Sequence, residues 1–280
     1  MMRVRWLRRR PVLGYFALTY FISWGGIVAV LALTGFDLVQ LRPLDTGLIF
    51  VAMLLGPSTA GLAVTTLLNG RPELRGLISS LARWRIGGRW YAVALLTMPL
   101  VLLSVLWPLG AVNPAFMPQF QWPLFAIGLV AGSFEEIGWT GFATPRLLAR
   151  HRPFIAGLLL GLVWALWHGL VDFRQNFHTQ GIAWLCEFAI LYMAALTAYR
   201  LLMTWVYART QSLLLAVLMH ASYTGWLLAL YPVTSFRQGL AWQGTFALAL
   251  WVVVTVVFVH RGPRLARRLT SALEKPASAR

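Results

Sequence analysis

Apolar residues along this chain come in long blocks separated by short polar segments, and within each block they occupy every face of a helix instead of one stripe. A helix that is apolar all round belongs in a large core or a bilayer. About 20 such residues, at a rise of about 1.5 Å each, cross a hydrocarbon layer of about 30 Å. Eight blocks meet that length, roughly 12–34, 46–68, 90–109, 123–144, 154–171, 182–206, 212–231 and 240–259. The predicted fold class is all-α: a polytopic membrane protein, a bundle of about eight transmembrane helices with a buried polar cavity. It is read as a single integral membrane domain over 1–280, with 261–280 as a cytoplasmic basic tail.

Composition agrees, since 59% hydrophobic and 11% charged residues lie far from soluble usage. The net charge of +16 is almost entirely arginine, Lys275 being the sole lysine. These charges sit between apolar blocks and not on one amphipathic face, so the expected partner is membrane lipid and not nucleic acid. Their distribution sets an orientation. Taking the N-terminal side as cytoplasmic, the segments on that side hold 21 basic residues, among them Arg200 and Arg209, against Arg42, Arg174 and Arg237 on the other. Cytoplasmic segments carry the excess of Arg and Lys, which predicts both termini inside. The N-terminal block is too long for a signal peptide and lacks an A-x-A cleavage pattern, so it reads as a retained helix. "ARWRIGGRWY" (82–91) reads as a short amphipathic cytoplasmic segment at headgroup level. Cys186 stands alone, which excludes an intrachain disulfide and a cysteine-based zinc site. The lack of an evident inverted repeat argues against a transporter.

Few carboxyl or imidazole groups fall inside the blocks: Glu135 and Glu136, His168, Glu187 and His220. An acid at the centre of a membrane helix costs about 2.5–3.5 kcal/mol even on the lenient insertion scale, so each implies a partner, a cavity or a function. Adjacent helical residues point about 100° apart, which lets one glutamate face a cavity while the other braces a neighbouring helix. Trp164 and His168 share a face at i and i+4, and Asp172 or a backbone carbonyl is positioned to orient the imidazole. His220 and Thr224 share a face in the same way, beside the small residues Ala221 and Ser222. Two carboxyls and two imidazoles suit water activation with polarisation of a carbonyl. They equally suit a metal site built from Glu135, His168 and His220, so the cofactor stays open between a divalent metal such as zinc and none. No HExxH helix and no GxSxG occur. Counted from the cytoplasmic ends of their blocks, Glu136 and His220 lie at similar depth and His168 several residues deeper. Span 5 must then tilt or start later, or His168 misses the carboxylates.

"EEIGWTGFATPRLL", "LVWALWHGL" and "LMHASYT", in that order over about 123–231, resemble the CPBP family of CAAX-protease and bacteriocin-processing proteins, also called Abi, intramembrane proteases related to the type II CAAX prenyl endopeptidase. The resemblance implies an endopeptidase in a bacterial plasma membrane, acting on a peptide or lipidated peptide. It implies Glu135 as general base with Glu136 as companion, Trp164 packed beside a water-handling His168, and His220, with Thr224, at the carbonyl oxygen. The family pattern has Arg where Thr140 stands and Asn or Asp where Thr224 stands. Losing that Arg removes a cation that would keep the carboxylates charged, and Arg146 is not at helical spacing to replace it. A non-catalytic immunity or adaptor protein on the same scaffold is the alternative these departures leave open.

Overall fold

The computed structural model describes the backbone of residues 2–36 and 41–273, all helix, turn or extended link, with no strand among the described residues. The chain begins with α1 (Met2–Arg9), α2 (Pro11–Leu33), α3 (Pro43–Leu81) and α4 (Gly88–Val112). A broken helix follows, made of α5 (Trp122–Phe134), α6 (Glu136–Gly138), a wide π turn (Trp139–Ala143) and α7 (Thr144–Leu148). Then come α8 (Pro153–Gln180), α9 (Trp184–Phe188), a second π stretch (Ala189–Leu196), α10 (Thr197–Thr210), α11 (Leu213–Leu230) and α12 (Phe236–Leu273). Residues 274–280 of the basic tail lie outside the described residues.

Helix ends follow local chemistry. Proline opens α2, α3 and α8, where its missing N–H costs nothing. The Ser212 hydroxyl caps α11 by accepting from the Leu215 amide at 3.2 Å. Gly181, at φ 58°, ends α8 in a conformation that suits glycine.

Six helical stretches among the described residues are long and apolar enough to cross a membrane, so the protein is an integral membrane protein. One of them, Pro153–Thr210, is 58 residues long and holds two passes. It reverses at Gly181 and packs back along α8, with Gly161 against Thr197 and Gly157 against Leu201. With the broken helix through 122–148, itself built of pieces too short to cross alone, all eight expected passes are traced. Phe21, Leu67, Leu100 and Val256 stand exposed on different helices, an apolar perimeter of the kind lipid covers.

Two arginines assigned to loops by their position in the sequence lie elsewhere. Arg200 is fully buried in α10, and Arg174 is 8% exposed inside α8. Without them the charge asymmetry between the two ends persists. The 82–91 segment is an extended link followed by the first turn of α4, with Trp84 exposed and Trp90 packed on Trp205.

α3 is kinked at Gly70, and its membrane part presses on α6 through small residues. A Cβ on Gly61 would lie 2.8 Å from the Gly138 Cα, and one on Gly138 would strike the Pro57 carbonyl and the Tyr15 hydroxyl. Across the bundle, Trp24 donates to the Trp167 carbonyl at 2.9 Å and Tyr20 to the Val163 carbonyl at 2.7 Å, which seats α8 on α2. Gly138→Ala is expected to cost roughly 1–3 kcal/mol by overpacking, seen as a lower thermal midpoint in detergent. Gly25→Ala, where a Cβ meets nothing within 4 Å, is the control expected to leave the midpoint unchanged or slightly raised.

Candidate active site

The site is built around the irregular turn at Glu135. Glu135 stands at the junction of α5 and α6, and three helical residues later the backbone widens into the π turn. The Thr144 hydroxyl closes that turn by donating to the Trp139 carbonyl at 2.9 Å. Such π turns rotate side chains away from ordinary helical positions and recur at functional sites. Here Glu135 lines a cavity while Glu136 is enclosed by protein, at 4% and 0% exposure.

Glu136 is saturated. Arg200 of α10 donates to both its oxygens, Nη1 to Oε2 at 3.0 Å and Nη2 to Oε1 at 2.8 Å. His220 Nδ1 of α11 lies 2.8 Å from Oε1, and the Thr140 hydroxyl donates to Oε2. Two-pronged pairing of this sort holds both charges in fixed geometry. The same guanidinium lies 3.9 Å above the Trp164 ring, a cation–π contact in a dry site.

Glu135 is held on one side only. Its Oε2 accepts from the indoles of Trp139 at 3.1 Å and Trp164 at 2.9 Å, while Oε1 takes part in no hydrogen bond among the described residues. His168 lines the same cavity, of about 290 Å³. The Trp164 carbonyl, 2.9 Å from His168 Nδ1, fixes that nitrogen as the donor and leaves the Nε2 lone pair for the cavity. Of the two groups considered for orienting His168, the carbonyl does so. Asp172 instead accepts from Asn176 at 3.0 Å and from the Trp184 indole. The His220 ring meets Trp164 edge to face at 4.8 Å, and its Nδ1 is committed to Glu136. Thr224 lines the cavity too, its Oγ1 2.6 Å from the Gly128 carbonyl and 3.0 Å from that of His220.

Glu135, Glu136, Trp164, His168, His220 and Thr224 thus converge from three passes. Between the glutamates and His168 the depth mismatch narrows because the fourth pass runs on to Leu148. Glu135 lies thirteen residues from that end, and His168 fifteen from the start of α8 at Pro153. His220, seven residues from the start of α11 at Leu213, still meets Glu136 directly. Glu187 stands apart, bound to Gln180, Tyr231 and Gln243 at 2.8, 3.3 and 2.7 Å. Arg146 is also absent from the site, being paired with Glu73. Among the described residues no three His, Cys, Asp or Glu side chains are grouped to hold a metal.

Arg200 and Trp139 are members that sequence reasoning missed. Trp139 lies at i+4 from Glu135, a spacing visible in the sequence. Arg200 lies 64 residues from its partner, and only its position inside an otherwise apolar block hinted at burial.

Fold and site together define a polytopic membrane protein with a carboxylate and imidazole site inside its helical bundle. Residues 117–226 match the Rce1-like family, described as type II CAAX prenyl endopeptidase Rce1-like. The chain is similar to CAAX prenyl protease 2 of Methanococcus maripaludis, 29% identical over 145 residues, which are 46% of this chain and 52% of that protein. It therefore spans about half the length of the curated relative it matches.

Removing one partner of a buried ion pair leaves a bare charge, at a cost of about 3–5 kcal/mol. Arg200→Gln is accordingly expected to lower the thermal midpoint sharply. The double variant with Glu136→Gln is expected to lose much less than the sum of the singles, the signature of direct coupling. Additive losses would show that the pair is not coupled.

Proposed function

We propose that the protein is an intramembrane endopeptidase that hydrolyses a peptide bond with water activated by Glu135. The observation that carries this is the asymmetry of the two carboxylates: Glu136 is bound on both oxygens, whereas Glu135 keeps Oε1 free in a cavity shared with His168.

In this reading Glu135 Oε1 and His168 Nε2 hold a water between them. Glu135 takes a proton as the water oxygen bonds to the scissile carbonyl carbon. The resulting oxyanion is assigned to His220 Nε2–H, with Nδ1–H donating to Glu136. Thr224 would add a hydroxyl donor by turning away from the Gly128 carbonyl. Glu135 then returns its proton to the leaving nitrogen as the C–N bond breaks. Glu136 and Arg200 are positioning residues, which fix His220 and the Trp164 wall. Arg200 occupies the electrostatic place of the family arginine that Thr140 lacks, reaching the same carboxylate from another helix, and this supports an active site over an inert scaffold.

The similarity to a CAAX prenyl protease supports a C-terminal peptide, lipidated or not, as substrate class. The arginine asymmetry supports both termini on the cytoplasmic side of a bacterial plasma membrane.

Glu135→Gln keeps an acceptor for both indoles but cannot take the proton. It is expected to lower peptide cleavage in proteoliposomes by about 10²–10⁴-fold, with the thermal midpoint little changed. Cleavage at the wild-type rate would overturn the mechanism, and absence of cleavage by folded wild type would favour the non-catalytic reading. Orientation has its own test. Val233, 91% exposed between α11 and α12, replaced by Cys in a Cys186→Ser background, is expected to react with an impermeant thiol reagent added outside intact cells. Labelling only after lysis would reverse the topology.

A further inference from the structure

Glu187 takes no part in the site above, and an acid placed in an apolar block asks for a role of its own. It stands in α9, near the 231–235 segment that joins α11 to α12. That end of the bundle lies opposite the 82–91 link, where the Ser212 hydroxyl at the start of α11 donates to the Arg83 carbonyl at 2.8 Å. Along α8, Gln180 lies twelve residues beyond His168, about 18 Å of rise. A second cavity, of about 360 Å³, opens here, and its lining includes Glu187, Gln180, Gln243, Tyr231 and Phe236. Small-molecule pockets begin at about 300 Å³, and a bare ion fills far less. Glu187 is the sole charged side chain of the lining, and it organises the wall. Its Oε2 accepts from the Gln180 amide at 2.8 Å, and its Oε1 from the Gln243 amide at 2.7 Å and the Tyr231 hydroxyl at 3.3 Å. Gln243 Nε2 also reaches the Tyr231 oxygen at 2.6 Å. Both glutamines thus spend their nitrogens inside the cluster, and their oxygens are left over. Gln180 Oε1 and Gln243 Oε1 are enclosed and accept from nothing among the described residues, and Gln243 is wholly buried. Turning either amide over would set its oxygen against the carboxylate, so pairing with Glu187 itself dictates the orphaned acceptors. A buried carbonyl without a donor bears its full desolvation cost.

We propose that this cavity binds a primary ammonium group, with Glu187 and the carbonyls of Gln180 and Gln243 as its three acceptors. An ammonium carries three donors and no acceptor, the complement of a wall that has acceptors to spare and one negative charge. The rings of Tyr231 and Phe236 suit the organic part of such a ligand and favour a cation beside their faces. A divalent metal fits less well. Calcium takes about 6–8 oxygen ligands, whereas this wall offers a single carboxylate with amide nitrogens turned toward it. Two sources carry a primary ammonium at such a place: a soluble amine, and the ethanolamine headgroup of a phospholipid, because the cavity lies at an end of the membrane-spanning bundle. The site stands whether or not Glu135 activates water.

Titration calorimetry on the purified full chain, in neutral detergent at neutral pH, compares n-butylammonium chloride with n-butanol and with tetramethylammonium chloride. Butylammonium is expected to saturate one site and to bind about 10- to 100-fold more tightly than either control, the range of a charge-assisted hydrogen bond. Glu187→Gln is expected to abolish that preference. Gln243→Met removes one acceptor and no charge, and is expected to weaken butylammonium by about 2- to 10-fold. Equal binding of the three compounds, no binding, or a preference that survives both variants would overturn the proposal. Calcium chloride is titrated in parallel, and Glu187-dependent calcium binding without butylammonium binding would make this a metal site and equally overturn it. The compound series on the wild-type protein decides the chemistry even where Glu187→Gln does not fold, and Gln243→Met then locates the site. Dihexanoyl-phosphatidylethanolamine and its choline analogue separate the sources. Ethanolamine lipid bound more tightly than both butylammonium and the choline lipid supports the site as one for a headgroup, whereas no gain over butylammonium supports it as one for a soluble amine.

Discussion

The buried ion pair between Glu136 and Arg200 is the constraint on which the site depends. It joins α6, α10 and α11, because His220 uses the same carboxylate and Trp164 stacks beneath the same guanidinium. An isolated charge in this interior would be prohibitive, and two opposite charges with nearly all their hydrogen-bonding capacity met can coexist there. Once formed, the pair fixes the rings of Trp164 and His220, and Trp164 in turn holds Glu135. The catalytic reading of Glu135 thus rests on a structural role for its neighbour.

Adjacent residues of one type take up different work because their side chains leave the helix in different directions. A regular helix already separates them by about 100°, and the junction at Glu135 and the π turn at Trp139–Ala143 place one carboxylate at a cavity wall and the other in the packed interior. Two indoles on a single oxygen of Glu135 leave the other oxygen open. This is a geometric basis for a base next to an anchor, and it comes from packing and not from residue identity.

The departures from the family pattern are absorbed in the same way. Thr140 is a poor replacement for arginine in isolation, yet its hydroxyl completes the shell of Glu136 while Arg200 supplies the charge from across the bundle. Thr224 keeps contact with the α5 backbone, its hydroxyl donating to the Gly128 carbonyl and lying beside Gly132. The carboxylate at this position is met by a cation from another helix.

Hydropathy and the arginine distribution by themselves determined that the chain spans a membrane, how many passes it makes and where they lie, because burial in lipid is a property of a local block of residues. The ionisable residues stood out for the same reason: each is costly in such a block whatever its neighbours. Their helical spacing placed Trp164 with His168 and His220 with Thr224. Only the tertiary structure decided which anion meets which cation. Arg200 and Arg174 are both near the ends of apolar blocks, and nothing in the local sequence separates an arginine that reaches water from one that turns inward. A guanidinium at the end of a long side chain reaches whatever the neighbouring helices bring near. Here they bring Glu136 to Arg200 across 64 residues of sequence and leave Arg174 facing an open cavity.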